Sequence, residues 1–116
     1  MKYKLINKLV NLTPHEVVIF EEDGVTQICK LPSQGSARVK TESVEVGIIR
    51  DIPIRKQTYG EVEGLPEQKE NTYYIVSMLV KQALPDRDDL LSPDTSPSGA
   101  VRDSENRIIG VKGFSI

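Results

Sequence analysis

The chain has no tryptophan, two phenylalanines and four tyrosines, so aromatics make up only 5% of its 116 residues and aliphatic side chains must fill its core. A single cysteine, Cys29, excludes an internal disulfide and suits a reducing compartment. A single histidine, His15, together with one thiol cannot supply the several nitrogen or sulfur ligands of a structural zinc site, so no metal and no cofactor is expected. Long apolar runs are also missing. The first twelve residues, MKYKLINKLVNL, carry no stretch suited to a secretory leader or a membrane span, and the expectation is a cytoplasmic protein without a membrane partner. Asn11-Leu12-Thr13 fits the glycosylation acceptor pattern, but without a leader it is set aside.

Charge of one sign is lacking too. Fifteen Lys and Arg against seventeen Asp and Glu give a formal charge of −2. Gripping nucleic acid by general electrostatics needs clustered cations, and here they are scattered. Lys2, Lys4 and Lys8 are the nearest approach to a basic patch and read as a solvated face, so nucleic acid is not an expected partner. What is present, 38% hydrophobic and 28% charged residues, is the composition of an ordinary globular protein, and 116 residues suit a single domain, 1–116.

Along the chain, residues 9–12 and 17–20 are short β-branched runs separated by Thr13-Pro14-His15-Glu16, which reads as a turn. Glu22-Asp23-Gly24 signals a hairpin, with 25–31 returning as a strand that Pro32 stops. Cys29 then lies mid-strand and reads as a buried structural thiol. Residues 37–41 and 44–46 alternate apolar with polar, the period of strands with one wet face. In 48–59, Pro53 demotes any strand to an edge or a bulge, and 60–70 read as a polar loop.

Residues 72–76 read as a buried strand that passes directly into a helix. Val76, Leu79, Val80, Ala83 and Leu84 fall on one helical face, Ser77 is the N-cap and Pro85 the stop. The segment 86–100, with Pro93 and Pro97, reads as irregular, and Val101 with 108–111 closes a last hairpin around 103–106. Gly110 and Gly113 suit a bulge or close packing in that strand.

Three groups could carry chemistry. Free N–H groups after Ser77, with Lys81 and Arg87 nearby, would suit an anion, although Ser77 as a plain cap explains the same residues. Asp86, Asp88, Asp89 and Asp94 lack the glycine and terminal Glu of a calcium loop, which leaves solvation or pairing with Arg87. His15 is the default general base if the chain is an enzyme.

Taken together, Asn11-Leu12-Thr13-Pro14-His15, Tyr74-Ile75-Val76-Ser77-x-Leu79-Val80, Arg87-Asp88-Asp89-Leu90-Leu91-x-Pro93-Asp94-Thr95 and Val101-Arg102-Asp103-x-x-x-Arg107-Ile108-Ile109-Gly110-Val111 resemble a group of short proteins encoded by bacteriophages, prophages and bacteria. The resemblance implies a setting, in which small proteins often act by binding host molecules, and no mechanism.

The expected fold is α+β, a twisted, mainly antiparallel sheet with one short amphipathic helix at about residues 77–84, packed through Leu79, Val80, Ala83 and Leu84. The expected function is non-catalytic binding of an anionic small molecule or a host protein where His15, Ser77, Lys81, Arg87 and Arg102 gather. One alternative is a small hydrolase or transferase using His15 as base with Asp88, Asp89 and Asp94. The other is a structural or assembly factor, which would expose an apolar patch or a sheet edge instead of a polar pocket.

Overall fold

The computed structural model describes residues 8–116; Lys2 and Lys4 lie outside them. In chain order the elements are β1 (Lys8–Asn11), β2 (Val17–Phe20), β3 (Gln27–Leu31), β4 (Arg38–Ile49), β5 (Ile52–Glu63), β6 (Thr72–Ile75), α1 (Met78–Ala83), β7 (Leu90–Pro93), β8 (Ala100–Arg102), β9 (Ile108–Val111) and β10 (Phe114–Ser115). They form two four-stranded sheets, β1-β6-β7-β10 and β3-β2-β9-β8, and a separate two-stranded ribbon of β4 and β5.

The α+β class holds, but the sheets are mixed. β6 pairs in parallel with both β1 and β7, β2 pairs in parallel with β9, and the other pairs are antiparallel. The reason is connectivity. A parallel pair needs a crossover, and α1 supplies it between β6 and β7, whereas local turn signals reveal only hairpins. The same pairing corrects the expectation of an irregular segment at 86–100: Tyr74 and Val76 donate backbone hydrogen bonds to Asp89 O and Leu91 O, making Leu90–Pro93 a strand. Pro93 is tolerated because it is the strand's last residue.

The main core gathers Leu12, Ala37, Val39, Tyr74, Val76, Val80 and Leu90, with Val62, Leu65 and Leu84 packed against it. Tyr73 and Tyr74 are both buried. Ser77 caps α1, its hydroxyl accepting from Val80 N at 3.3 Å. The helix packs through a narrower face than its spacing suggests: Val80 is fully buried and Leu84 half-buried, while Leu79 and Ala83 are exposed. Six residues are under two turns, too short to present a full stripe. Cys29 is exposed, contrary to the buried thiol expected, because β3 is an edge strand whose side chains are mostly in solvent.

The β2–β3 hairpin is closed by Asp23, whose carboxylate accepts from Thr26 Oγ1 at 2.6 Å and from the backbone N–H of Val25 and Thr26. The Thr26 hydroxyl, then the two N–H groups, hold its pKa at about 2, below the ordinary 3.8. A folded-state pKa below the unfolded one means that this stabilisation is complete above the ordinary carboxylate range and is lost as pH falls through the folded value. Carboxyl NMR titration is therefore expected to place the Asp23 midpoint near pH 2, and Asp23→Asn to lose stability at neutral pH but not at the acid end.

In the second sheet, Gly110 brings β9 against β2. A Cβ there would collide with the Phe20 ring and lie 2.6 Å from Val18 O. Gly110→Ala is expected to cost about 1–3 kcal/mol by overpacking, read as a lower urea midpoint at unchanged slope. Gly113 has open space around its α-carbon and no such constraint.

Candidate functional site

Each polar residue singled out from the sequence has a definite place. Because β1, β6 and β7 run parallel, His15 and Ser77 follow the C-terminal ends of β1 and β6, while Arg87, Asp88 and Asp89 precede β7 at the other end. β1 and β7 also lie two strand spacings apart, about 10 Å, so the geometry gives no support to a dyad of His15 with Asp88 or Asp89. Lys81 Nζ reaches Ser115 Oγ at 3.4 Å. Arg102 donates to Asn106 O in the β8–β9 turn, far along the chain and in the other sheet.

Arg87 is held as a fork against Asp89, Nε to Oδ1 and Nη2 to Oδ2, both at 2.7 Å, and Nη2 also donates to Pro66 O. Hydrogen bonding to Asp89 raises the guanidinium pKa above its ordinary value, against the effect of burial. Asp88 accepts from Gln68 Nε2 at 2.6 Å, and Asp94 accepts from Ser96 N. Asp103 accepts from the N–H groups of Glu105 and Arg107 and pairs with the Arg107 guanidinium. The cleft beside Asp88 and Asp89 measures about 230 Å³, below the roughly 300–1,000 Å³ of small-molecule sites. Among the described residues, no group of three or more His, Cys, Asp or Glu side chains could hold a metal ion. No helix among them is long and apolar enough to cross a membrane.

Asn11 is the polar residue that sequence reasoning passed over. It is buried, and its Nδ2 donates to His15 O and Leu31 O, both at 2.9 Å, while its Oδ1 accepts from Thr13 N and Thr13 Oγ1. Leu31 belongs to β3, so one amide ties the end of the first sheet to the second. An Asn two residues before a Thr-Pro turn is the available signal, since Asx side chains bond the backbone two residues on.

Among the described residues, the outer part of the β4–β5 ribbon has no structural use inside the chain. Reading 37–41 and 44–46 as separate strands and 60–70 as loop missed that β4 and β5 are twelve residues each and pair from Arg38↔Glu63 to Ile49↔Ile52. At roughly 3.3 Å per residue this is an arm of about 40 Å. Among the described residues only its root is packed: Val39 is buried and Val62 half-buried in the core, and Lys40 pairs with Glu63 at 3.2 Å. The arm explains why the radius of gyration is 17.0 Å, well above the roughly 13 Å of a compact domain of about 100 residues.

Next to the tip turn the arm is apolar on both faces, and charge begins at Glu45 and Arg55. Alternation along β5 puts Ile52 and Ile54, with their neighbours Ile49 and Val44, on one face, and Pro53 with Ile48 on the other. Val44, Val46, Ile48, Ile49 and Ile52 are 56–64% exposed and Ile54 is 39% exposed. The tip is a two-residue turn in which Arg50 and Asp51 both have positive φ, 51° and 65°, as the twist of a tight hairpin demands. Family models, curated proteins and solved structures, compared with this chain, give no match, so the function is argued from its own geometry.

Proposed function

We propose that the protein is a non-catalytic assembly protein that docks on another protein through the arm formed by β4 and β5. The observation that carries this reading is the exposure of Val44, Val46, Ile48, Ile49, Ile52 and Ile54 on a two-stranded ribbon that no other strand among the described residues covers. A sheet in contact with water on both faces has no use for apolar side chains on both, whereas a ribbon enclosed by a partner does. Fully burying a Val or Ile side chain is worth about 1.5–3 kcal/mol, so six that are roughly half-exposed represent on the order of 5–10 kcal/mol of unrealised burial. The outer edges of β4 and β5, unpaired among the described residues, add backbone donors and acceptors for strand addition. The phage or prophage setting suggested by the sequence motifs supports the same class, because the polar groups of those motifs are taken up in building the body.

A photo-crosslinking residue at position 52, compared with one at position 104 on the exposed β8–β9 turn, tests the reading in cells. The expected result is a discrete protein adduct from position 52 and none from 104. Absence of any protein adduct at 52, or the same products from both positions, would remove its basis.

A further inference from the structure

Building on the docking role proposed for the arm, we infer that its partner is a second copy of this chain, joined head-to-tail, with the β4 edge of one arm beside the β5 edge of the next. The charge order along the two strands carries the argument. From root to tip β4 bears Arg38, Lys40, Glu42 and Glu45, while β5 bears Glu63, Glu61, Lys56 and Arg55. The root of β4 is therefore basic where β5 is acidic, and its outer part acidic where β5 is basic; Arg38↔Glu63 and Glu45↔Arg55 are direct cross-strand partners, while Glu42 faces Thr58 and Lys56 faces Val44. Lys40 and Glu63 pair within the arm, but among the described residues each strand has a second, unpaired edge along which the same charge order is presented to a neighbour.

When arms lie side by side and point the same way, β5 of one copy runs antiparallel to β4 of the next, and the same residues meet at the same levels. Placing β4 beside β4 in that orientation sets cations against cations at the root and carboxylates against carboxylates further out, which is unfavourable. The bulge at Val46 and Pro53, which has no N–H, interrupt both edges near the tip, and a second register shift between Val39 and Thr41 interrupts them near the root, so the unbroken ladder is carried by residues 41–45 against 55–59. Beyond it, Val44, Ile48, Ile49, Ile52 and Ile54 of adjacent arms cover one another. An interface that uses two different edges leaves one of each free after the first contact, so assembly continues past a dimer until a ring closes or a filament grows.

The experiment uses the full chain, with mass measured by light scattering and composition by native mass spectrometry of isotopically distinguished mixtures. Wild type is expected to form assemblies of three or more copies. Arg55→Glu/Lys56→Glu is expected to raise the concentration needed for assembly by at least about tenfold, since every β5 edge then faces acidic β4. The fourfold swap Glu42→Lys/Glu45→Lys/Arg55→Glu/Lys56→Glu keeps the charges within each hairpin matched, so its arm folds. It is expected to assemble with itself and not to mix with wild type. Free mixing, a wild type that stops at a closed dimer whether or not it responds to these charges, or a wild type that stays monomeric overturns the inference, and so does a monomer that instead floats with phosphatidylcholine vesicles. A monomer that still gives a discrete adduct with a different protein from position 52 refutes self-assembly while leaving the docking role standing; no adduct at all removes both.

Discussion

Arg87→Ala is expected to lower the free energy of unfolding by roughly 3–5 kcal/mol, the loss that follows when one partner of a buried pair is removed and the other stays. The Asp89 side chain is 3% exposed, and both its oxygens face the Arg87 fork at 2.7 Å. Alanine leaves a carboxylate in the protein interior with neither water nor a cation, immediately before β7. Lysine keeps the charge but supplies one point donor in place of two parallel N–H groups, so Arg87→Lys is expected to lose less than alanine yet remain clearly below wild type. Arg87→Met/Asp89→Leu removes both charges and is expected to recover most of the stability. Urea denaturation of the four proteins checks this; an alanine variant within about 0.5 kcal/mol of wild type would mean that Asp89 is solvated and the fork contributes nothing.

That pair also marks where the sequence was legible and where it was not. The choice between metal site, solvated cluster and Arg pairing for Asp88 and Asp89 could be narrowed from spacing alone, because a calcium loop makes positional demands that the chain fails to meet. The strand-to-helix corner was legible for a similar reason. Thr72 to Val76 are β-branched or aromatic, Ser77 accepts from the first turn, and Pro85 cannot follow within a helix, so local chemistry decides the outcome. Pairing between distant strands is not written locally. Leu90–Pro93 looks like turn material in isolation and becomes a strand only because the β6 segment supplies N–H donors to its carbonyls.

The arm was illegible for a different reason. Hairpins announce themselves through Asn-Gly or Asp-Gly, residues that take positive φ readily, and this one turns on Arg50-Asp51. Pro53 and the bulge at Val46 then break the alternation that would have marked one continuous strand. An arm of this kind has no solvent face to give its pattern a period, since both faces near the tip are apolar. The run VEVGIIRDIPI therefore resembles a disturbed core strand, and only its exposure among the described residues reveals a surface. The five residues proposed from sequence as a polar site failed to single it out because their motifs describe the body: capping, hairpin turns and the Arg87–Asp89 fork all hold the scaffold that the arm projects from.

Asn11→Ala is expected to be the other large loss, about 3–4 kcal/mol, from four hydrogen bonds worth about 1 kcal/mol each at a buried position. The amide orientation is fixed by its neighbours: both Nδ2 protons face carbonyl oxygens, of His15 and Leu31, and Oδ1 faces the Thr13 N–H and hydroxyl. The isosteric Asn11→Asp separates packing from hydrogen bonding, since it keeps the shape but sets an oxygen against two carbonyls, and it is expected to fall at least as far as alanine. His15→Ala provides the contrast. Only the His15 backbone carbonyl takes part in this network, and its imidazole lies on the surface, so that variant is expected to unfold within about 0.5 kcal/mol of wild type. Hydrogen exchange locates the damage. Gln34 N donates to Asn11 O and Ala37 N to Leu12 O, so these amides lie where β1 meets the segment leading into β4, and they are expected to lose protection first in Asn11→Ala. Equal protection in wild type and variant would show that the two sheets are held together by their apolar contacts alone.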